Sequence, residues 1–155
     1  MTATRPTQVR QWLAELNLRP SRRLGQNFLV DGNIARMVVD LAELQPGDRV
    51  LEIGPGCGAL TEELLARGTY VAAVEVDPRL VRLLQERLGG TAAVTLVCAD
   101  ALAADLEVWL GSGFDRVVAN LPYSVGTRIL VHLFEQPHPP RRLVVTLQRE
   151  VVARI

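Results

Sequence analysis

Nine residues constrain this chain more than any other stretch: Val50-Leu51-Glu52-Ile53-Gly54-Pro55-Gly56-Cys57-Gly58. An apolar run stops at three glycines separated by single residues, and a helical pattern resumes at Ala59. This predicts a strand feeding a tight turn that opens onto a helix N-terminus. Glycine suits such a turn because it has no side chain to keep a ligand from the backbone, and because it tolerates positive φ. The helix beyond presents unpaired N–H groups and a partial positive charge. The spacing reads G-x-G-x-G, not the G-x-G-x-x-G of dinucleotide-binding turns. The loop points to a cofactor site, although by itself it also describes a sharp turn that binds nothing.

The flanking sequence decides how the loop is used. Thr7 is placed to cap a first helix carrying Val9, Trp12, Leu13 and Leu16 on one face, and Asn17 with Pro20 ends it. A polar, basic segment follows, Ser21 to Leu29, with Phe28 as an exposed-looking aromatic. Asp31 opens a second helix bearing Ile34, Met37, Val38 and Leu41, and Pro46-Gly47-Asp48 turns into a strand over 49–53. Further strands are predicted at 70–76, 94–98, 115–119 and 142–147. Helices separate them: one ending near Gly68, one capped by Asp77 with Pro78 at its first position, a short one at 105–110, and one over 126–134. From Gln148 onward the pattern is helical again. Such alternation predicts a parallel sheet with helices on both faces, the Rossmann-like α/β class. Right-handed crossovers place every strand's carboxyl end on one edge, where ligands bind. Gly54, Glu75, Asp100 and Asn120 all fall at those ends.

Composition limits the alternatives. With 155 residues, 48% of them hydrophobic, the chain is long enough to bury a core and is not of disordered type. No apolar run approaches the roughly 20 residues that span a bilayer, and the first 17 residues lack the apolar core of a signal peptide. Cys57 and Cys98 are isolated and His132 and His138 form no cluster, so neither a disulfide framework nor a metal site is expected, and a reducing intracellular setting is. Net charge is zero, yet all seventeen basic residues are Arg and they concentrate at the ends. Residues 1–30 hold five Arg and one Glu, residues 116–155 six Arg and two acids, and the middle six Arg against fourteen acids. Basic ends around an acidic middle suit a polyanionic substrate beside a cofactor pocket, and ordinary solvated surface accounts for the same counts.

Position gives each strand-end residue a chemistry. Glu75, twenty-one residues beyond Gly54, can accept hydrogen bonds from ribose hydroxyls. Asp100 can accept from an adenine amino group, or simply cap its loop. Asn120-Leu121-Pro122-Tyr123 closes the fourth strand. An exocyclic aromatic amine is a poor nucleophile because its lone pair is delocalised. An Asn side-chain oxygen and a neighbouring backbone carbonyl can hold its hydrogens and favour a tetrahedral nitrogen. Pro122 removes a competing N–H and biases Leu121 towards an extended conformation, and Tyr123 offers a face for a flipped base.

These pieces together resemble the ribosomal RNA adenine N6,N6-dimethyltransferase family. The likeness is carried by Arg23-Leu24-Gly25-Gln26-Asn27-Phe28-Leu29, Leu51 to Gly56, Val74-Glu75-Val76-Asp77, Asp100-Ala101, Asn120 to Tyr123, and Leu147-Gln148-Arg149-Glu150-Val151. The resemblance implies a cytoplasmic, monomeric enzyme without metal or membrane association. Its cofactor is S-adenosyl-L-methionine and its partner is rRNA of the small ribosomal subunit or its precursor, dimethylated at adjacent adenosines near the 3′ end. It implies cofactor binding by Gln26, Asn27, Phe28, Leu29, Gly54, Gly56, Glu75, Val76, Asp100, Ala101 and Asn120, and base capture by Asn120, Leu121, Pro122 and Tyr123. Arg19, Arg22 and Arg23 are expected to contact RNA phosphates. Leu24-Gly25-Gln26 is more like the small-subunit enzymes than the macrolide-resistance enzymes of large-subunit rRNA, whereas DNA adenine methyltransferases usually carry a second proline at the Leu121 position. A noncatalytic nucleic-acid-binding factor on the same fold stays open. Family members continue with further strands and a helical domain, so the chain is expected to be the catalytic domain truncated after the fifth strand, with weak or absent turnover.

Overall fold

The computed structural model describes residues 5–19, 28–122, 124–147 and 149–154. Two helices, α1 (Pro6–Glu15) and α2 (Gly32–Leu41), precede strand β1 (Arg49–Ile53). Asp31 opens α2 as expected, its side chain accepting from the Asn33 amide at 2.8 Å. The start of α1 differs from the sequence expectation, because Arg5 is the N-cap, Pro6 is the first helical residue and Thr7 lies inside the first turn. Proline needs no partner for an N–H and has its φ already set, which favours the earlier start.

Beyond β1 the elements alternate: α3 (Ala59–Ala66), β2 (Tyr70–Glu75), α4 (Pro78–Leu88), β3 (Val94–Cys98), α5 (Glu107–Leu110), β4 (Arg116–Asn120), α6 (Gly126–Phe134), β5 (Arg142–Thr146) and α7 (Arg149–Val152). Asp77 caps α4 by accepting from the Arg79 amide at 2.9 Å, with Pro78 at the first helical position. The strands form one parallel sheet in the order β3-β2-β1-β4-β5. Each strand beyond β1 joins a growing edge until β4 crosses to the other side of β1. That reversal opens a crevice between the carboxyl ends of β1 and β4.

Alternating side chains sort onto two cores, as a strand's period of two requires. Leu51, Ile53, Ala72, Val74, Val117 and Ala119 face one side, where Leu106 at the start of α5, Leu110 of α5, and Ile129 and Leu133 of α6 come down. Val50, Val71, Ala73 and Val118 face the other, against Ala35, Val38 and Val39 of α2 and Leu60 and Leu64 of α3. Each fully buried leucine contributes about 1.5–3 kcal/mol. A third cluster is smaller: Val9 and Leu13 of α1 pack with Cys57, Leu80 and Leu83. It lashes the N-terminal helix to α4 and to the turn after β1. No helix among the described residues is long and apolar enough to cross a membrane.

Candidate active site

The turn after β1 is built by its glycines, which have different surroundings. Gly56 has φ of +58°, and a Cβ there would stand 3.3 Å from a ring carbon of Phe28. Gly58 has φ of +93°, and a Cβ there would meet Leu84 at 2.8 Å and the Arg87 guanidinium at 3.2 Å. A side chain at Gly58 would therefore be strained twice, by backbone and by contact. The Gly58 amide donates to the Pro55 carbonyl at 2.9 Å and closes the turn before α3 begins. Cys57 is buried here, and burial pushes its thiol up to about 11, with Glu75 adding and Arg87 opposing. It stays protonated and is no nucleophile.

Glu75 ends β2 with its carboxylate turned to this loop. One oxygen accepts from the Gly56 amide at 3.0 Å and the other from the Asp77 amide at 3.0 Å. Burial raises its pKa, while the two amides and that of Val76 pull the other way. A carboxylate has about four lone-pair sites, so these bonds leave acceptor capacity for ligand hydroxyls. Glu52, on β1, lies fully buried beneath it. One of its oxygens accepts from the Thr61 hydroxyl at 2.7 Å, and the other has no hydrogen-bond partner among the described residues. Burial, with the Glu75 charge adding and the Thr61 bond opposing, pushes Glu52 up to about 8. Glu52 thus carries a proton at neutral pH.

Asn120 is the last residue of β4 rather than the residue after it, and pairs in register with Thr146 of β5. The Thr146 hydroxyl donates to Asn120 Oδ1. Leu121 is buried in the sheet core, its amide donating to the Thr146 carbonyl at 3.3 Å, so its side chain anchors the segment and does not line the cavity. Pro122 accepts from the Gly126 amide at 3.0 Å, which seats the start of α6 directly on the segment. A Cβ at Gly54 would stand 3.7 Å from the Asn120 carbonyl oxygen, so the ends of β1 and β4 meet across the crevice.

The strand ends open onto one cavity of about 530 Å³. Of the sequence-derived candidates, Phe28, Leu29, Gly54, Gly56, Glu75, Val76, Asp100, Ala101, Asn120 and Pro122 line it. Phe28 is half-buried rather than exposed, because it packs against the α1 cluster while facing the cavity. Asp100 accepts from the Leu102 amide at 2.9 Å, which gives it the loop-capping bond that its position allowed. Arg19 stands elsewhere, with Arg10 and Leu13 around a separate hollow at the end of α1. Gln26, Asn27, Arg22, Arg23 and Tyr123 lie outside the described residues. Sequence reasoning missed Arg128 and Ile129 of α6 and Ser124 and Val125 before it, all of which line the cavity. Only their place directly after the tetrapeptide could have signalled them. Among the described residues no group of three or more His, Cys, Asp or Glu could hold a metal ion.

The cavity has the size of a nucleoside carrying a short chain, with apolar walls and few polar groups. Its carboxylates come from the end of β2 and the loop after β3, suited to hydroxyl and amino donors. Its amide acceptor comes from β4, on the other side of the crevice. This fold and site define a Rossmann-like α/β protein of the methyltransferase class. The chain matches the ribosomal RNA adenine dimethylase family over residues 17–155 and belongs to it. It is 45% identical to the ribosomal RNA small subunit methyltransferase A of Moorella thermoacetica, a match covering 97% of this chain and 55% of that protein. The chain thus spans about half the length of the curated relatives it matches. Among solved structures, a dimethyladenosine transferase from Plasmodium falciparum superposes with a TM-score of 0.72 at 25% identity, over 83% of this chain and 46% of that one. The 23S rRNA methyltransferase ErmE superposes with a TM-score of 0.66 at 32% identity, over 81% of this chain and 49% of that one.

Proposed function

We propose that this chain is the cofactor-binding and catalytic domain of an rRNA adenine N6,N6-dimethyltransferase that uses S-adenosyl-L-methionine and acts on small-subunit rRNA. The observation that carries the reading is the opening of the glycine loop, Glu75, Asp100 and Asn120 onto one cavity. The residues fit the cofactor: a side chain at Gly56 would crowd Phe28 and narrow the loop, and Glu75 is a buried carboxylate with acceptor capacity left over.

When bound, S-adenosyl-L-methionine supplies an activated methyl group on a sulfonium. The chain's part is binding and orientation. Glu75 accepts from ribose hydroxyls, Asp100 with Ala101 meets the adenine, and Gly54 and Gly56 let the backbone approach the amino-acid portion. Phe28, Leu29 and Val76 cover the ligand and exclude water, joined by Gln26 and Asn27. Asn120 Oδ1 and the Leu121 carbonyl accept the hydrogens of the target adenine N6 and favour its tetrahedral form, which aims the lone pair at the methyl. Pro122 holds that segment extended and Tyr123 stacks on the everted base. Positioning of this kind is worth several kcal/mol when reacting atoms are held about 3–3.5 Å apart. Arg19, Arg22 and Arg23, with Arg128 at the cavity wall, meet RNA phosphates. The substrate is a pair of adjacent adenosines near the 3′ end, and the enzyme works as a cytoplasmic monomer.

The relatives named for the small subunit support this choice of RNA. The likeness to ErmE favours a second reading, methylation of large-subunit rRNA. The test is incubation of the full-length protein and labelled cofactor with unmodified small and large ribosomal subunits, followed by nucleoside analysis, since a chain half the length of its relatives is expected to turn over weakly or not at all. Dimethyladenosine in small-subunit RNA is the expected product. Product confined to large-subunit RNA favours the second reading. Cofactor binding by the full-length protein without product in either contradicts the catalytic reading and favours a noncatalytic RNA-binding factor on the same fold.

A further inference from the structure

One long basic side chain reaches the glycine loop from α4. Arg87, near the end of α4 and largely buried, donates to the Cys57 carbonyl and forms an ion pair with Glu62 in the first turn of α3. Its guanidinium also lies over the ring of Trp12 in α1, with Cζ 4.0 Å from the ring centroid. Three segments distant in sequence meet at this group: α1, the loop with the start of α3, and α4. Only a planar cation with several fixed donors can bond a carbonyl and a carboxylate while stacking on an indole. Gly58 is the enabling residue, since a Cβ there would occupy the space of Leu84 and Arg87.

We propose that Arg87 is a positioning residue for the cofactor site, holding the glycine loop in its binding geometry and coupling that loop to the docking of helix α1. Gly54 to Cys57 line the cavity, and the Cys57 carbonyl accepts from Arg87. Fixing that carbonyl fixes the peptide plane between Cys57 and Gly58, and with it the turn that Gly56 completes. The same guanidinium holds Trp12, and α1 packs through Leu13 and Val9 on Cys57 and on Phe28, which lines the cavity. A ligand that settles the loop therefore also tightens α1, and a loosened α1 weakens the ligand. The inference rests on the cofactor reading of the cavity.

The experiment measures S-adenosylhomocysteine binding by calorimetry in the chain and in its Arg87→Met, Arg87→Lys and Trp12→Leu variants, each checked for folding by circular dichroism. A Trp109→Phe background leaves Trp12 as the sole indole, because the chain has two tryptophans. The expected results are a tenfold or greater loss of affinity in Arg87→Met, partial rescue in Arg87→Lys, and a three- to tenfold loss in Trp12→Leu. Ligand should also reduce acrylamide quenching of Trp12, a response that a merely structural ion pair would not give. Wild-type affinity in folded Arg87→Met, or quenching indifferent to ligand, overturns the proposal. If Arg87→Met does not fold, Trp12→Leu decides by the same comparison. Absence of binding in the unmutated chain removes the cofactor reading itself, and the proposal with it.

Discussion

The two sides of the crevice are built differently. On the side of β1 and β2 the strands are buried on both faces, and the polar groups are pinned before any ligand arrives. Glu75 is held by two backbone amides and the loop is closed by its own turn and backed by Arg87. On the side of β4 and β5, β5 is only half-buried along its length, and Asn120 accepts from a side-chain hydroxyl of that strand rather than from backbone amides of a buried loop. The lesson concerns preorganisation. A cofactor site that binds the same small molecule every turnover gains from a rigid cradle, because fixed donors spare the ordering cost of binding. On the other side, where the proposed base site lies, Leu121 is the residue of the tetrapeptide that is anchored in the core.

The largest effect should come from the second side. Asn120→Ala is expected to lower methyl transfer by about 100–1,000-fold, the cost typical of losing one oriented hydrogen-bonding group. The cofactor Kd should change by less than about threefold, so that kinetics and calorimetry together separate the two halves. Comparable losses in both would merge them.

The next tests bear on the first side. Glu52 has a folded pKa of about 8 against an ordinary value of 4.5. A carboxyl raised in this way contributes stability that is fully present below pH 4.5 and is lost as pH rises through about 8. Denaturant unfolding should therefore show stability falling by a few kcal/mol across that window, at 1.36 kcal/mol per pKa unit. Glu52→Gln should flatten the fall. Glu75→Gln keeps the shape and removes the charge, and should weaken S-adenosylhomocysteine by about 10–100-fold, as expected for hydrogen bonds to a charged group. Gly58→Ala should cost about 1–3 kcal/mol of unfolding free energy, from strain at positive φ. The smallest effect belongs to the surface beyond the crevice: Arg19→Gln should reduce the salt dependence of RNA binding by about one counterion without altering cofactor affinity.

Much of this was legible in the chain. The alternation of apolar runs and turns located every strand, and Asp31, Asp77 and Pro78 announced their helix starts because capping is local chemistry. Gly54, Glu75, Asp100 and Asn120 could be placed at one edge because the handedness of crossovers is nearly invariant. What escaped the sequence depends on packing between distant segments. Nothing local marks Arg87 as the backing of the loop, Thr146 as the partner of Asn120, or Glu52 as a protonated acid, since each follows from a neighbour 26 or more residues away or from burial. Thr7 failed as a cap for the opposite reason: a stronger local signal, Pro6, stood one residue before it.

The most direct measurement is an amide chemical-shift map of the chain titrated with S-adenosylhomocysteine. Saturable shifts are expected, largest at Gly54, Gly56, Val76, Ala101 and Asn120, around the mouth of the cavity at the strand ends. Shifts centred on any other surface, or none at saturating ligand, would contradict the cofactor reading of that cavity.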